Sequence, residues 1–309
     1  MLRWRLILGT LLVAALVMLC WLDYRVTRPG AFLLPVALML SWVGVVELLE
    51  MFEKRGRRPL AWAMYVGVLV TVLLAGIPVW WPAATNGPAV GRLGWLALGL
   101  GGGLLIAMFG ELQRYDGRWH STINVGLLAF AFLYLGGMMG FIVQLRLLDG
   151  GPWGNDGRWG MLALASLIAT VKMSDTGQYT VGRLIGRHKL APALSPGKTW
   201  EGAVGGIAFA IMGAWIVFHW GTEWIVGTGA TAAVPMATSR PVTITLFAIT
   251  VAVAGIVGDL AESMLKRDAG VKDSSTWMPG FGGVLDLLDS LLGAAPVAYL
   301  FWALRLVGP

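Results

Sequence analysis

Long apolar runs dominate the chain, and polar residues gather in the short segments between them. The runs are continuous and lack the strict alternation of apolar and polar residues that marks strands of a membrane barrel. A helix needs about 20 mainly apolar residues to cross a bilayer. The pattern therefore predicts an all-α fold, a polytopic transmembrane helical bundle. It predicts nine spans, at residues 4–22, 31–52, 60–82, 91–112, 122–145, 159–182, 203–221, 242–260 and 284–306.

Composition supports a membrane protein and excludes an ordinary soluble domain. Hydrophobic residues make up 57% of the chain and charged residues only 13%, whereas soluble domains are roughly 25% charged. The net charge of +6 is explained by basic loops on one side of the membrane, so no nucleic-acid partner is expected. The single cysteine, Cys20, excludes a disulfide framework and a cysteine zinc site.

The distribution of lysine and arginine predicts the orientation of the bundle. With the nine spans in place, 15 of these residues fall on the side of the N-terminus and 7 on the other. Cytoplasmic loops carry the excess, so the N-terminus is expected in the cytoplasm. The basic, apolar start is expected to stay as an uncleaved first span, because no small-x-small cleavage site follows it. We expect two regions, N-terminal spans in 1–150 and C-terminal spans carrying the chemistry in 151–309.

The first of two charged segments runs from Val171 to Gly202. Lys172 and Asp175 are three residues apart and so share a helix face. Ionisable residues inside a membrane are costly and indicate function by default, although a simple ion pair at a helix end would also explain them. The sequence SPGKT at 195–199 predicts a glycine-containing turn whose lysine and hydroxyls suit phosphate. Its spacing is not that of a P-loop.

The second charged segment begins in the eighth span. Positions three and four residues apart place an acid, a hydroxyl and a cation on one helix face. The residues concerned are Asp259, Glu262, Ser263 and Lys266.

Two further carboxylates, Asp286 and Asp289, lie three residues apart at the start of the last span. Within apolar sequence they repel each other unless a positive group lies between them. Their hard oxygen ligands favour Mg²⁺, and pairing with a nearby lysine is the alternative. Gly282 and Gly283 precede this span and would expose backbone N–H groups at a helix N-terminus, which is a ready anion site.

Acids for a metal, cations for polyphosphate and a position in the membrane together describe one kind of chemistry. They indicate phosphoryl or nucleotidyl transfer to a lipid headgroup, in which metals and cations suffice without a dedicated nucleophile.

The segment SMLKRDAGVKDSSTWMPGFGGVLDLLD, residues 263–289, resembles the motif of phosphatidate cytidylyltransferases, also called CDP-diacylglycerol synthases. The upstream segment SDTGQYTVGRLIGRHKLAPALSPGKTWEG, residues 174–202, resembles the second recurring segment of that family. The resemblance covers about 172–296. It implies transfer of CMP from CTP to phosphatidate in phospholipid biosynthesis, with Mg²⁺ and with or without a monovalent cation. It also implies a homodimer in the cytoplasmic (inner) membrane whose active site faces the cytoplasm.

The resemblance, taken with the phosphate-binding turns, also implies roles for individual residues. The catalytic residues would be Asp286, Asp259, Lys266 and Asp289. The metal ligands would be Asp259, Asp286, Asp289 and Asp175. The residues that bind substrate would be Ser195, Lys198, Thr199, Ser263, Arg267, Lys272, Gly282 and Gly283.

Three positions depart from the family pattern. Phe281 stands where the family has histidine, Leu287 where it has arginine, and Gly197 where it has lysine. Loss of a guanidinium removes a bidentate phosphate contact. The departures leave open another acceptor, such as an isoprenoid phosphate, or a CTP-dependent lipid kinase. A transporter is a further alternative, but no inverted repeat supports it; a catalytically silent lipid-binding scaffold is another.

Overall fold

A computed structural model describes residues 2–26, 28–81, 90–117, 121–154, 156–227, 240–275, 277 and 282–309. Eleven α-helices are described within these ranges. They are α1 (Leu2–Arg25), α2 (Leu33–Lys54), α3 (Ala61–Ala75), α4 (Ile77–Trp80), α5 (Gly91–Gln113), α6 (Ser121–Ala131), α7 (Met138–Arg146), α8 (Arg158–Ile185), α9 (Trp200–Ile216), α10 (Arg240–Asp268) and α11 (Val284–Ala303). A π-helical segment, Phe132–Gly137, joins α6 to α7, and another, Val217–Val226, extends α9.

The apolar helices confirm an all-α membrane protein. Among the described residues, six helical segments are long and apolar enough to cross a membrane. They are Leu33–Lys54, Gly91–Gln113, Ser121–Arg146, Trp200–Val226, Pro241–Asp268 and Val284–Ala303. Helix α3 is apolar but shorter. The count of nine spans and the cytoplasmic N-terminus stay predictions.

A small β-hairpin interrupts the helices between α8 and α9. Strand β1 (Lys189–Ala191) pairs with the antiparallel strand β2 (Ser195–Thr199). The Leu194 N–H donates to the Ala191 carbonyl at 3.2 Å and closes the connection. The expectation of a turn at 195–199 was therefore wrong, because β1 offers this segment a partner for its backbone groups. The turn lies earlier, between the two strands.

Contacts divide the chain into two compact units, and the division is not a single cut in the sequence. The first unit contains Met1–Leu147 and Leu265–Leu288, and the second contains Leu148–Met264 and Asp289–Pro309. The predicted division after residue 150 concerned which spans carry the motifs, and it stays a prediction. Helices α10 and α11 each contribute residues to both units.

In the first unit a buried ion pair holds the start of α2. The Asp23 carboxylate is fully buried, and its Oδ2 lies 2.6 Å from Nε of Arg146. The same carboxylate accepts hydrogen bonds from the backbone N–H groups of Gly30, Phe32 and Leu33, at 2.8–3.2 Å. Because a helix start leaves its first N–H groups without partners, Asp23 both neutralises Arg146 and fixes where α2 begins.

In the second unit glycines bring helix backbones into close contact. A Cβ at Gly177 on α8 would lie 2.7 Å from the backbone oxygen of Gly205 on α9. A Cβ at Gly258 on α10 would lie 2.6 Å from the backbone oxygen of Asp289 on α11 and 2.9 Å from Cα of Gly293. Small residues allow this approach of membrane helices. The second contact places the backbone beside Asp259 directly against the backbone of Asp289.

The buried pair predicts a large loss of stability for Arg146→Met. This change leaves the Asp23 carboxylate buried with no cation, and breaking a buried pair from one side costs about 3–5 kcal/mol. We expect a clear fall in the thermal unfolding midpoint of the purified protein in detergent.

Arg55→Met is the matched control for this prediction. The Arg55–Asp268 pair spans 3.6 Å and its side chains are 52% and 82% exposed. Exposed pairs contribute little, so the midpoint should hardly change. Equal midpoints for the two variants would contradict the structural role of the buried pair.

Candidate active site

Two acidic and basic clusters contain six of the thirteen predicted site residues, three in each unit. In the first unit the Asp286 cluster comprises Glu47, Lys266, Ser274, Gly283 and Asp286. In the second unit the Asp259 cluster comprises Lys198, Asp259 and Ser263, and a separate group joins Asp175 to Asp289.

Asp286 lies in the first turn of α11 and is surrounded by donors. Its Oδ2 accepts hydrogen bonds from the Ser274 backbone N–H at 2.8 Å, the Ser274 hydroxyl at 2.7 Å and the Gly283 N–H at 2.8 Å. Its Oδ1 forms an ion pair with Nζ of Lys266. The two side chains are only 10–11% exposed. A charge in this position is tolerated because both carboxylate oxygens are matched by donors.

The glycines before α11 are required by the geometry of the Asp286 cluster. Gly282 has φ of +82°, a left-handed conformation that favours glycine. A Cβ at Gly283 would overlap the Ser274 hydroxyl and the Glu47 carboxylate. The N–H group of Gly283, which the sequence offered as an anion-binding donor, binds the Asp286 carboxylate.

Glu47 belongs to this cluster, and the sequence reasoning missed it. Its side chain is 1% exposed and lies on α2, inside a predicted span. A carboxylate within an apolar run is itself a signal of function and could have drawn attention to it. Its partners lie in α11 and in the motif loop, residues 269–283 between α10 and α11, at least 227 residues further along the chain, and no helical spacing predicts such contacts.

The Asp259 cluster forms where the hairpin meets α10. Nζ of Lys198, on β2, lies 2.6 Å from Oδ2 of Asp259. The Ser263 hydroxyl lies one helical turn further and donates to Oδ1 of Asp259 at 3.5 Å. The side chains of the lysine and the aspartate are 16% and 26% exposed. The hairpin therefore places the ammonium group of Lys198 beside Asp259, a pairing that the sequence could not predict.

Ser290 joins two other predicted acids. Its hydroxyl lies 3.3 Å from Oδ1 of Asp175 and 3.0 Å from Oδ1 of Asp289. Asp175 also pairs with Lys172 at 3.1 Å, which confirms the shared helix face predicted from their spacing. No pattern in the sequence indicated Ser290.

The remaining substrate-binding candidates lie in varied surroundings. Thr199 is buried and caps α9, its hydroxyl oxygen accepting from the Gly202 N–H at 3.1 Å. The Arg267 guanidinium donates to the Val271 carbonyl at 3.1 Å. Lys272 is exposed and Ser195 is half-buried on β2. Phe281 lies outside the described residues.

The predicted metal ligands are the carboxylates of Asp175, Asp259, Asp286 and Asp289. Among the described residues no three His, Cys, Asp or Glu side chains lie close enough to hold a metal ion. Mg²⁺ usually takes only one or two protein carboxylates and completes its shell with substrate phosphates and water. The donor set therefore fits a magnesium ion that binds together with nucleotide phosphates, and does not fit an all-protein cage.

Comparison with known sequences decides the family. Residues 4–305 match the sequence model of the Cytidylyltransferase family. The chain belongs to this family. The match confirms the resemblance drawn from 172–296 and extends it over nearly the whole chain.

Three relatives of this cytidylyltransferase-family chain carry the name phosphatidate cytidylyltransferase. The phosphatidate cytidylyltransferase of Haemophilus influenzae is 36% identical over 215 residues, which are 69% of this chain and 67% of the relative. That of Brucella suis is 34% identical over 261 residues, with coverages of 79% and 87%. That of Pseudomonas aeruginosa is 33% identical over 295 residues, with coverages of 89% and 91%.

The two lysine–aspartate pairs suit the chemistry of a cytidylyltransferase. Phosphoryl-group transfer depends mainly on positioning and on neutralising charge. Lys266 and Lys198 each pair with an aspartate, so each cation is already directed by a carboxylate. A phosphate group can compete with that carboxylate for the lysine.

The packing of Gly283 predicts that Gly283→Ala disrupts the Asp286 cluster. The added methyl group must displace Ser274 or Glu47, and overpacking of this kind costs about 1–3 kcal/mol. We expect a lower thermal unfolding midpoint in detergent. Gly126→Ala on α6 is the control, because a Cβ there has no neighbour within 4 Å. A midpoint for Gly283→Ala as high as that of the control would show that the cluster has room to spare.

Proposed function

We propose that the chain transfers CMP from CTP to phosphatidate, giving CDP-diacylglycerol and pyrophosphate in phospholipid biosynthesis. The family match over residues 4–305 carries this proposal. It is supported by relatives named phosphatidate cytidylyltransferase at 33–36% identity. The lysine–aspartate pairs of both units lie within the matched residues.

The reaction is an in-line displacement at phosphorus. An oxygen of the phosphatidate phosphate attacks the α-phosphorus of CTP and forms a new P–O bond. The bond from that phosphorus to the oxygen bridging the β-phosphate breaks, and pyrophosphate leaves with the electron pair. A phosphate monoester is already largely ionised near neutral pH, so no strong general base is needed.

Cationic side chains would bind the phosphates. Lys198 and Lys266, each close to an aspartate, would exchange part of that contact for phosphate oxygens. Arg267 and Lys272 follow Lys266 along the chain and add cations for the triphosphate or the lipid phosphate. The hydroxyls of Ser195 and Ser263 would orient phosphate oxygens.

We propose Mg²⁺ as the cofactor, with or without a monovalent cation. The candidates for its ligands are Asp259, Asp286, Asp289 and Asp175, of which one or two would hold the ion together with nucleotide phosphates. When bound, the metal supplies neutralisation of the phosphate charge and orientation of the leaving group.

We also propose a topology of nine spans with a cytoplasmic N-terminus. The protein would lie in the cytoplasmic (inner) membrane as a homodimer, with its active site facing the cytoplasm. The 15 to 7 split of basic residues supports the orientation, and CTP is a soluble, charged donor that reaches the site from water.

Three positions in the sequence favour a second candidate for the lipid that accepts CMP. Phe281, Leu287 and Gly197 stand where the resembled family has cationic residues or histidine. Fewer cations weaken the hold on a phosphate group, so a different lipid phosphate, such as an isoprenoid phosphate, is the second candidate.

A detergent assay with purified protein, labelled CTP and Mg²⁺ separates these functions. We expect CDP-diacylglycerol from phosphatidate, and no product when EDTA removes the metal. If product forms from an isoprenoid phosphate and not from phosphatidate, the isoprenoid phosphate is the acceptor. If none of the lipid acceptors gives a CDP-lipid, the proposed enzyme activity is overturned. Full activity in EDTA would overturn the magnesium proposal.

The Asp286→Asn variant tests the Asp286 cluster within this reaction. Asparagine keeps the shape of the side chain but removes the charge beside Lys266, and loss of one preorganised electrostatic group costs about 100-fold or more in rate. We expect turnover to fall by that factor with the protein still folded at the assay temperature, as judged by its elution and by an unfolding midpoint that is lowered but lies above that temperature. Asp156→Asn is the control, because Asp156 is 54% exposed. Wild-type turnover in Asp286→Asn would remove Asp286 from the catalytic residues.

A further inference from the structure

The Glu47 carboxylate is buried and faces four hydrogen-bond donors from one short stretch of chain, one of which, the Ser274 hydroxyl, it shares with Asp286. Its Oε1 accepts from the Trp277 indole N–H at 3.1 Å and the Val284 N–H at 2.7 Å. Its Oε2 accepts from the Ser274 hydroxyl at 2.9 Å and the Leu285 N–H at 2.9 Å. Every donor lies in the motif loop or in the first turn of α11, whereas Glu47 lies on α2.

These contacts differ from an ordinary helix cap. A helix start is normally satisfied by a Ser, Thr, Asp or Asn immediately before it. The acid in the first turn of α11, Asp286, binds Ser274, Gly283 and Lys266. The N–H groups of Val284 and Leu285 are met from α2 by Glu47.

Ser274 connects the two carboxylates directly. Its hydroxyl oxygen lies 2.9 Å from Oε2 of Glu47 and 2.7 Å from Oδ2 of Asp286. A hydroxyl carries one proton, so a change at either carboxylate alters what Ser274 offers the other. Only glycine fits at position 283, because a Cβ there would overlap Ser274 and Glu47. A displacement of Glu47 therefore reaches Asp286 through Ser274 and through the start of α11.

We propose that Glu47 is a positioning residue for CMP transfer: from the N-terminal half of the chain it holds Asp286, and through Asp286 the Lys266 ammonium, in the geometry that turnover requires. This role rests on the proposed function. Glu47 is buried and acts through other residues. Groups that orient functional side chains from behind typically affect activity by about 10–100-fold.

Glu47→Gln is the sharpest single change. Each Glu47 oxygen accepts from two donors, so whichever oxygen becomes the amide nitrogen faces two donors. The size and shape of the side chain are kept. The control is Glu50→Gln, one turn further on α2, where the side chain is exposed.

Turnover and local exchange are measured together, well below the unfolding midpoint of each variant. For Glu47→Gln we expect kcat to fall by about 10-fold or more, with a smaller change in the KM for CTP. Hydrogen–deuterium exchange should accelerate at the amides of Val284 and Leu285, whose acceptor is Glu47. Glu50→Gln should match the wild type in both measurements.

Ser274→Ala provides a second route if Glu47→Gln does not fold. It removes the shared hydroxyl but leaves Glu47 with its donors from Trp277, Val284 and Leu285. We expect kcat to fall here as well.

The outcomes separate positioning from simple stabilisation. A lower unfolding midpoint with wild-type kcat in the folded Glu47 variant would assign Glu47 a structural role only and overturn the proposal. If Glu47→Gln does not fold, a wild-type kcat in Ser274→Ala would overturn the proposal instead. If the wild type yields no CDP-lipid, the proposed function fails on its own; unchanged exchange at Val284 and Leu285 in Glu47→Gln would then overturn the positioning as well.

Discussion

A carboxylate held away from water must be met by donors, and in the first unit Glu47 meets this requirement with groups from a distant part of the chain. Both of its oxygens are occupied by an indole N–H, a hydroxyl and the first N–H groups of α11. The same constraint places Asp286, whose donors come from Ser274, Gly283 and Lys266. The position of the candidate catalytic acid therefore depends on a residue of α2.

The poorly exposed lysines are each paired with a carboxylate. Lys198 and Lys266 each lie against an aspartate in a poorly exposed position, because an unpaired charge there would be costly. Pairing of this kind keeps the lysines oriented while leaving them able to accept phosphate oxygens as new partners. In a cytidylyltransferase, whose chemistry depends on neutralised phosphate charge, such pairs would serve the reaction as proposed above as well as the fold.

The N-terminal half has a larger part in the site than its sequence suggests. The resemblance to phosphatidate cytidylyltransferases came from 172–296 alone, whereas the family match runs from residue 4 to residue 305. The structure shows how this half contributes to the Asp286 cluster. Glu47 holds the motif loop, and the Asp23–Arg146 pair fixes the start of the helix that carries Glu47. Residues without motif character thus maintain the geometry of residues that have it.

The sequence by itself determined the all-α membrane class, the approximate limits of the helices and the shared face of Lys172 and Asp175, because each depends on a short local period. It also identified the acids and cations of the motif by their unusual place in apolar sequence. Only the tertiary structure decided their partners: Lys198 with Asp259, Lys266 with Asp286, and Ser290 with Asp175 and Asp289. It also showed that 195–199 is a strand and that Glu47 belongs to the Asp286 cluster. Such pairings join segments far apart in the chain, and the requirement that selects them, a donor for every buried acceptor, exists only once the segments are packed.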